Sequence, residues 1–228
     1  MIEKIDVIVP TKNVVNNKLF STLKSAKWVN NLIITKEKPL SLARKNALLK
    51  TETKWVAMFD DDVVIPENWF LSVSKEFKKN VGAITTVAEQ NNVHERAYDK
   101  VVGCFVRLEK LETSPHINNV LVRKELFVDY NPPALFFGED LYFREHVEKK
   151  GCKWVVLPYI GVEHLGENKN FISTGRAYRK HYSKKQLLRR VVARFVFAPY
   201  ASMVNFDLKT FFILTKQNVQ FIAGWLKR

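Results

Sequence analysis

Short apolar runs alternate with helical patterns over the first 165 residues of the chain. Strand-like runs rich in β-branched and aromatic residues occur at 5–9, 32–34, 55–59, 81–87, 120–122 and 154–157. Helical spacing of apolar residues occurs at 42–49, 67–77 and 140–150, and Gly151 closes the last of these segments. Residues 55–59 are apolar at every position, as expected for a strand that is covered on both faces. The alternation predicts an α/β fold with a mainly parallel sheet flanked by helices, and residues 89–116 are predicted to hold loops and at most one helix.

The pattern changes after residue 166, where two long helical segments follow. Residues 184–198 and 208–226 each place apolar side chains on one helical face and basic side chains on another. The helical wheel puts Arg194 on the basic face of the first segment. The longest uncharged run of this region, 195–206, is shorter than the roughly 20 apolar residues that a membrane-spanning helix needs. We therefore expect C-terminal amphipathic helices that lie on a surface.

The positive charge is concentrated in the same region. The 228 residues carry a net charge of +14, and residues 169–228 contain 13 Lys or Arg but a single acid, Asp207. The whole chain has 37 bases and 23 acids, so residues 1–168 hold 24 bases and 22 acids and are nearly neutral. Basic helices with Trp and Phe on their apolar side are typical of an anionic membrane interface. A solvated helical pair is the plainer alternative, and nucleic-acid binding is disfavoured because the sequence has no nucleic-acid-binding motif.

The cysteine content and the opening segment exclude other classes of protein. Two cysteines are too few for a disulfide scaffold or a structural zinc cage. The opening residues carry an acid, Glu3, and lead directly into a strand, unlike a signal peptide. We therefore expect the N-terminal domain in the cytosol, with the chain held peripherally or monotopically at the cytoplasmic side of the cell membrane.

Three adjacent carboxylates follow the apolar strand 55–59, namely Asp60, Asp61 and Asp62. Ligands of open α/β sheets bind at the carboxyl ends of the strands. Neighbouring carboxylates raise one another's pKa unless a cation is present, and two such ligands at a turn suit Mg²⁺ or Mn²⁺ beside a diphosphate. The alternative is that one Asp caps a following helix, but capping accounts for one carboxylate and not for three.

Two further candidate sites occur later in the chain. Glu139 and Asp140 stand at the start of the helix predicted at 140–150, where the helix dipole favours a carboxylate anion that can act as a base. His164 follows the last strand-like run. A lone histidine is more often structural than catalytic, so its interest depends on the carboxylates.

Several segments resemble, in order, the inverting glycosyltransferases of family 2, which have the GT-A fold. They are IDVIVPTKN, LARKNALL, KWVAMFDDDVVIPENW, GAI, NNVLVRKELF, FGEDLYFREHVEKKGCKWVVLP and VEHLG, and they span residues 4–166. The resemblance implies a nucleotide-diphosphate sugar donor, a divalent metal (Mn²⁺ or Mg²⁺) and a single displacement at the anomeric carbon. It divides the chain into a GT-A catalytic domain, 1–166, and a membrane-associating helical region, 167–228.

The resemblance also implies roles for single residues. Those matching nucleotide-sugar contacts are Pro10, Thr11, Arg44, Asn46, Asp60 and Asp61. Ala43, with Arg44 and Asn46, matches the helix that packs beside the base and the metal-binding motif. Asp60 and Asp62 match the metal-binding Asp-x-Asp pair, and His164 stands where some members supply a further metal or diphosphate contact. Asp140 matches the general base, with Glu139 as the neighbour that orients the acceptor or supports the base.

The chain departs from the family pattern at two places. Thr35-Lys36-Glu37 replaces an acid-rich turn, so the identity of the nucleotide stays open. Residues 186–190 match only part of a Gln-x-x-Arg-Trp motif, since Arg190 stands in place of the Trp. Arg176 and Arg189 are candidate cations for the diphosphate.

The basic tail favours a lipid-linked acceptor at an anionic membrane. The rival interpretations are an inactive sugar-nucleotide-binding or scaffold protein of the same fold, a nucleotidyltransferase and a nucleic-acid-binding protein. A nucleotidyltransferase would normally show a glycine-rich phosphate loop near the first strand, and residues 10–13 contain no glycine.

Overall fold

The structure of the protein is a computed structural model. This structure describes residues 3–12, 14–90, 92–105, 116–134, 139–165, 171–179 and 183–226. The chain divides into two compact units. The first unit is Met1–Glu89 with Glu112–Leu165, and the second unit is Gln90–Leu111 with Gly166–Arg228. The predicted boundary at residue 166 concerns functional domains and stays a prediction.

The first unit holds a sheet with helices along it. Its strands are β1 (Ile5–Pro10), β2 (Val29–Thr35), β3 (Trp55–Phe59), β4 (Val63–Val64), β5 (Val81–Gln90), β6 (Asn119–Arg123) and β7 (Lys153–His164). Its helices are α1 (Asn17–Ser25), α2 (Leu40–Leu49), α3 (Trp69–Ser74), a 3₁₀ helix (Lys124–Phe127) and α5 (Glu139–Lys149). Across the described residues the strand order is β2-β1-β3-β6-β5-β7-β4. The predicted α/β fold is confirmed.

Both faces of the central strands are buried, which explains their unbroken apolar sequences. On β3, Trp55, Ala57 and Phe59 enter a core with side chains of α1 and α3. Val56 and Met58 point to the opposite face, into a core with α2 and α5. Because successive side chains of a strand alternate between faces, a strand with helices on both sides must be apolar throughout.

The sheet is mixed, whereas the sequence predicted a mainly parallel one. β1 pairs in parallel with β2 and β3, but β6 is antiparallel to both β3 and β5, and β4 is antiparallel to β7. A strand that is buried on both faces has the same apolar pattern in either direction. The pattern therefore predicted the described strands except the two-residue β4, and it left their direction open.

The second unit is helical. It comprises α4 (Val93–Phe105), which is the single helix expected between residues 89 and 116, α6 (Phe171–Tyr178), α7 (Lys184–Val204) and α8 (Leu208–Leu226). Small and apolar side chains of α4, α7 and α8 form its core: Ala97, Val101, Ala198, Ala201 and Leu214. Gly175 and Gly224 lie where α6 and α8 touch, because a Cβ at either position would stand 2.0 Å from a backbone oxygen of the other helix.

Arg194 differs from the expectation of the helical wheel. It is buried in the second unit, where its Nη2 donates a hydrogen bond of 2.5 Å to Glu95 and one of 3.1 Å to Gln217. Its guanidinium also lies 5.0 Å from the centre of the Tyr98 ring. The inner side of α7 therefore carries a paired cation, which a pattern of apolar positions cannot reveal.

Among the described helices, none combines the length and the apolar composition that crossing a membrane would require.

Candidate active site

The three aspartates lie at the end of β3, at the edge where β1 also ends. Asp60 donates its backbone N–H to the carbonyl of Asn118, at 3.0 Å. Residues 63–64, which follow, form β4 rather than a helix, so helix capping does not account for these carboxylates. The turn is short because β4 must pair with β7 directly after it.

Pairing of β4 with β7 brings His164 to the aspartates. Val63 is the partner of His164 in the antiparallel register, and Leu165 donates its N–H to the carbonyl of Asp62 at 2.8 Å. His164 Nε2 lies 3.5 Å from Asp62 Oδ1. A one-residue shift of this register would turn His164 to the other face of the sheet.

Asp60, Asp62 and His164 form a group that can hold a metal ion. One ligand atom from each residue lies within 4.8 Å of the others, and all three residues are half-buried. Two carboxylate oxygens and an imidazole nitrogen suit Mn²⁺ and also, with waters, Mg²⁺. His164 Nδ1 is buried without a hydrogen-bond partner among the described residues. Burial raises the pKa of Asp62, His164 lowers it, and Asp60 and Asp61 raise it further. A divalent cation would relieve this repulsion.

Arg44 links the aspartates to the start of α5. Its guanidinium is buried and donates hydrogen bonds to Asp60 and to Glu139. Burial alone would lower the pKa of Arg44, but Glu139, Asp60 and Asp140 raise it, so the side chain stays a cation. The first residue of α5 is thereby held beside the end of β3.

The two acids of α5 are shifted toward their neutral forms. Burial raises the pKa of Asp140 to about 7, with Arg44 opposing and Glu139 and Asp60 adding to the rise. Burial likewise raises the pKa of Glu139, against the attraction of Arg44. The sequence predicted that the helix N-terminus would favour the anions, but burial and mutual repulsion outweigh that effect. A carboxylate with a pKa near 7 can accept a proton at physiological pH.

Some residues predicted to contact the nucleotide lie at the end of β1 beside the aspartates, and another lies on α2. Thr11 follows β1 and donates its hydroxyl to Asp61 Oδ2 at 2.5 Å, while Pro10 is buried at the end of β1. Asn46 is exposed on α2 and donates to Glu37 at 2.7 Å, so its hydrogen bond leads to the turn after β2. The roles assigned to these residues stay predictions.

Two other predicted positions belong to the second unit, and a third lies outside the described residues. Arg176 on α6 and Arg189 on α7 belong to the second unit, and both are exposed. Residue 138, the glycine before Glu139, lies outside the described residues. The proposed diphosphate contact of the two arginines stays a prediction.

Tyr130 is a neighbour of the site that the sequence did not indicate. It is buried, and its hydroxyl has no hydrogen-bond partner in the described part of the chain. Burial and the charge of Glu139 raise its pKa, while Arg44 lowers it. No motif marks Tyr130, because it stands in an irregular segment between the 3₁₀ helix and α5.

Solved structures share the fold of this chain. No family model and no curated protein sequence matches it. The mannosyltransferase PcManGT from Pyrobaculum calidifontis, solved with GDP-Man and Mn²⁺, has a TM-score of 0.66 and 14% identity, covering 97% of this chain and 85% of that one. Glucosyl-3-phosphoglycerate synthase from Mycobacterium tuberculosis, solved with Mn²⁺, UDP and phosphoglyceric acid, has a TM-score of 0.58 and 12% identity, covering 78% and 75%. The latter was also solved with Mg²⁺ and UDP. The chain thus has the GT-A-like fold of these glycosyltransferases.

Proposed function

We propose that this protein is a metal-dependent, inverting glycosyltransferase of family 2 that uses a nucleotide-diphosphate sugar. The main support for the proposal is that Arg44 donates hydrogen bonds both to the metal-binding candidates, through Asp60, and to the start of α5, through Glu139. The metal-binding candidates Asp60, Asp62 and His164 lie on one side of Arg44, and Glu139, which precedes Asp140, lies on the other. The fold shared with two enzymes that were solved with a sugar nucleotide, GDP-Man in one and UDP-glucose in the other, supports the same reaction class.

We assign the metal to Asp60, Asp62 and His164. A divalent ion bound there supplies Lewis-acid stabilisation of the negative charge on the diphosphate. Asp61 is held by the hydroxyl of Thr11 and stays directed toward the end of β1, where we place the nucleoside. Binding and positioning by these residues contribute to the rate because the donor then requires little further ordering.

We assign the general base to Asp140. Its carboxylate takes the proton of the acceptor hydroxyl while that oxygen forms a bond to the anomeric carbon. The bond from this carbon to the diphosphate breaks, and the nucleoside diphosphate leaves with the electron pair. A single displacement inverts the configuration, so an α-linked donor gives a β-linked product. Glu139 and Arg44 hold the start of α5 in place, and a pKa of about 7 suits Asp140 to this role.

We further propose a lipid-linked acceptor, with a hydroxyl or phosphate as the attacking group, at the cytoplasmic face of the membrane. The support is the charge of residues 169–228, with 13 bases and one acid. Each Lys or Arg near an anionic leaflet contributes about 1 kcal/mol to its attraction.

A thermal-shift panel tests the donor and the metal together. UDP-, GDP- and dTDP-sugars are added with and without Mn²⁺, and one of them should raise the melting temperature only when Mn²⁺ is present. A donor at one hundred times its Kd stabilises the folded chain by about 2.7 kcal/mol. Asp62→Ala should abolish the Mn²⁺-dependent shift, whereas Glu163→Gln, which removes a neighbouring exposed carboxylate of β7, should keep it.

Transfer of a radiolabelled sugar to membrane lipid extract tests the chemistry. Asp140→Asn should bind the donor with an unchanged thermal shift and show no transfer. A Mn²⁺-dependent shift that persists in Asp62→Ala would contradict the metal assignment. Donor binding by the wild-type chain without transfer to any acceptor would favour the alternative function, a sugar-nucleotide-binding protein of the same fold.

A further inference from the structure

The exposed face of α7 is lined with apolar side chains. Leu188, Val192, Val196 and Met203 follow one another along it, and each is between 49% and 69% exposed. The last of them lies 15 positions after the first, which is roughly 22 Å of helix. The opposite face carries the buried Arg194 and the core alanines. The helix therefore has apolar residues on both sides, and the described chain covers only one of them.

Exposed apolar side chains also occur in the turn after α7 and at the start of α8. Phe206, in that turn, is 98% exposed and has a φ of 49°, in the left-handed region. Glycine or asparagine is usual at such a position, and a bulky side chain there is unfavourable for the fold. Leu208 and Phe212 at the start of α8 are 69% and 62% exposed. None of these three side chains contributes to the core of the second unit, so packing does not explain why they are apolar.

Exposed basic side chains stand on the same two helices, and in the described part of residues 169–228 the single acid is engaged in a helix cap. Lys184, Lys185 and Arg189 are exposed at the start of α7, and Lys209 and Lys216 are exposed on α8. Asp207 is the only acid in residues 169–228. Its carboxylate caps α8, where it accepts hydrogen bonds from the Lys209 N–H at 2.9 Å and the Thr210 hydroxyl at 3.4 Å. The exposed side chains of α7, the turn and the start of α8 are therefore largely apolar or basic.

We propose that this surface, formed by the exposed face of α7, Phe206 and the start of α8, binds the interface of an anionic lipid bilayer. Apolar side chains enter the boundary between headgroups and acyl chains, while Lys and Arg contact anionic headgroups. A second copy of this chain fits less well, because a two-fold pair would bring like charges together. The proposal does not depend on the glycosyltransferase activity, since it rests on different residues.

Vesicle flotation of the full chain tests the proposal without donor or metal. The chain should float with phosphatidylcholine vesicles containing 30% phosphatidylglycerol and stay behind with pure phosphatidylcholine. The double variant Met203→Ser/Phe206→Ser keeps the charge and should bind anionic vesicles at least tenfold more weakly. Tyr159→Ser, which removes an exposed aromatic side chain of β7 in the first unit, is the matched control and should bind as the wild type does.

The two kinds of contact are separated by further variants. Lys209→Glu/Lys216→Glu should lose the preference for anionic vesicles. Phe206→Trp should keep binding, and its added tryptophan emission should shift to shorter wavelength on anionic vesicles. Circular dichroism should show unchanged melting for each variant, because the replaced side chains are exposed.

Three results would overturn the proposal. They are equal recovery of the wild type with neutral and anionic vesicles, full binding by Met203→Ser/Phe206→Ser, and a dimer in sedimentation velocity that this double variant abolishes. Loss of vesicle binding with intact donor shifts would reject the surface alone. Intact vesicle binding without donor shifts would reject the enzyme proposal alone.

Discussion

Replacing Arg44 by methionine should destabilise the first unit strongly and in a pH-dependent way. Arg44 is 1% exposed and Glu139 is 2% exposed, and Arg44 donates a hydrogen bond to one Glu139 oxygen. The other oxygen, Oε2, has no partner in the described part of the chain. Methionine keeps the apolar stem of the side chain but removes the cation, so the Glu139 carboxylate is left buried and unpaired.

The expected loss is about 3–5 kcal/mol, which is typical when one partner of a buried ion pair is removed. Most of it arises at Glu139, because Asp60 is 30% exposed and water screens its charge. A domain is stable by only about 5–15 kcal/mol, so the change is large. Arg144→Met is the matched control. Arg144 makes a surface pair with Glu148 on α5, and its removal should cost about 0.5 kcal/mol or less.

The pH dependence of the loss has a definite sign. Burial already raises the pKa of Glu139, and removing Arg44 takes away the charge that lowers it. A folded state with a raised carboxyl pKa binds a proton more readily than the unfolded chain, so the stability of the variant increases as the pH falls. The difference from wild type should therefore be smaller at pH 5 than at pH 8.

Urea denaturation at both pH values measures this difference. Tryptophan fluorescence reports mainly the first unit, because four of the five tryptophans belong to it and only Trp225 belongs to the second unit. Adding Glu139→Gln to Arg44→Met should restore about 2 kcal/mol, since the buried charge is then absent. An Arg44→Met chain that lies within about 1 kcal/mol of wild type at both pH values would refute the assignment of a buried ion pair.

Three other predictions concern separate parts of the molecule. The transfer rate should rise with pH around a midpoint of about 7, because Asp140 must lose its proton to act as the base, and a pH–rate profile without a midpoint near 7 would contradict this assignment. Gly224→Ala should lower stability by about 1–3 kcal/mol in urea titrations, since its Cβ would lie 2.0 Å from the Ile172 carbonyl oxygen; unchanged stability would contradict this close helix contact. Asp6→Asn should cost about 2–4 kcal/mol, because the two carboxylate oxygens accept hydrogen bonds from the backbone N–H groups of residues 31, 52 and 53 and from the Asn30 amide. Burial raises the pKa of Asp6, but these hydrogen bonds outweigh burial and the net pKa is lowered. The wild type should therefore lose stability as the pH decreases through that lowered pKa, and the acid denaturation of Asp6→Asn should lack this loss.

The place of the three aspartates in the fold was predictable from the sequence. The apolar run 55–59 predicts a strand, and its end places Asp60–Asp62 at the edge of the sheet, as observed. Likewise, the helical spacing and Gly151 predict a helix that starts near Glu139 and Asp140, and α5 begins at Glu139. These features depend on residues that are close in sequence, so the pattern of apolar and polar positions is enough to predict them.

The partners of the buried charges were not predictable in the same way. Arg44 and Glu139 are separated by 95 positions, and Arg194 and Glu95 by 99. Arg44 was expected to contact the nucleotide, and Arg194 fell on the basic face of a helical wheel. A charged residue on a helix is more often solvated than buried, and only the packing of neighbouring elements shows which one is paired.

Local patterns therefore revealed every described strand except β4, most of the described helices, the acidic turn and the positive charge of the C-terminal region. Strand direction, the approach of His164 to Asp62 and the pairing of Arg44 arise from the way distant segments pack. The physical reason is that hydrophobic periodicity records whether a position is covered, and it records neither which segment covers it nor in which direction that segment runs. The same limit explains the apolar outer face of α7, which is evident only once the folded chain leaves it exposed.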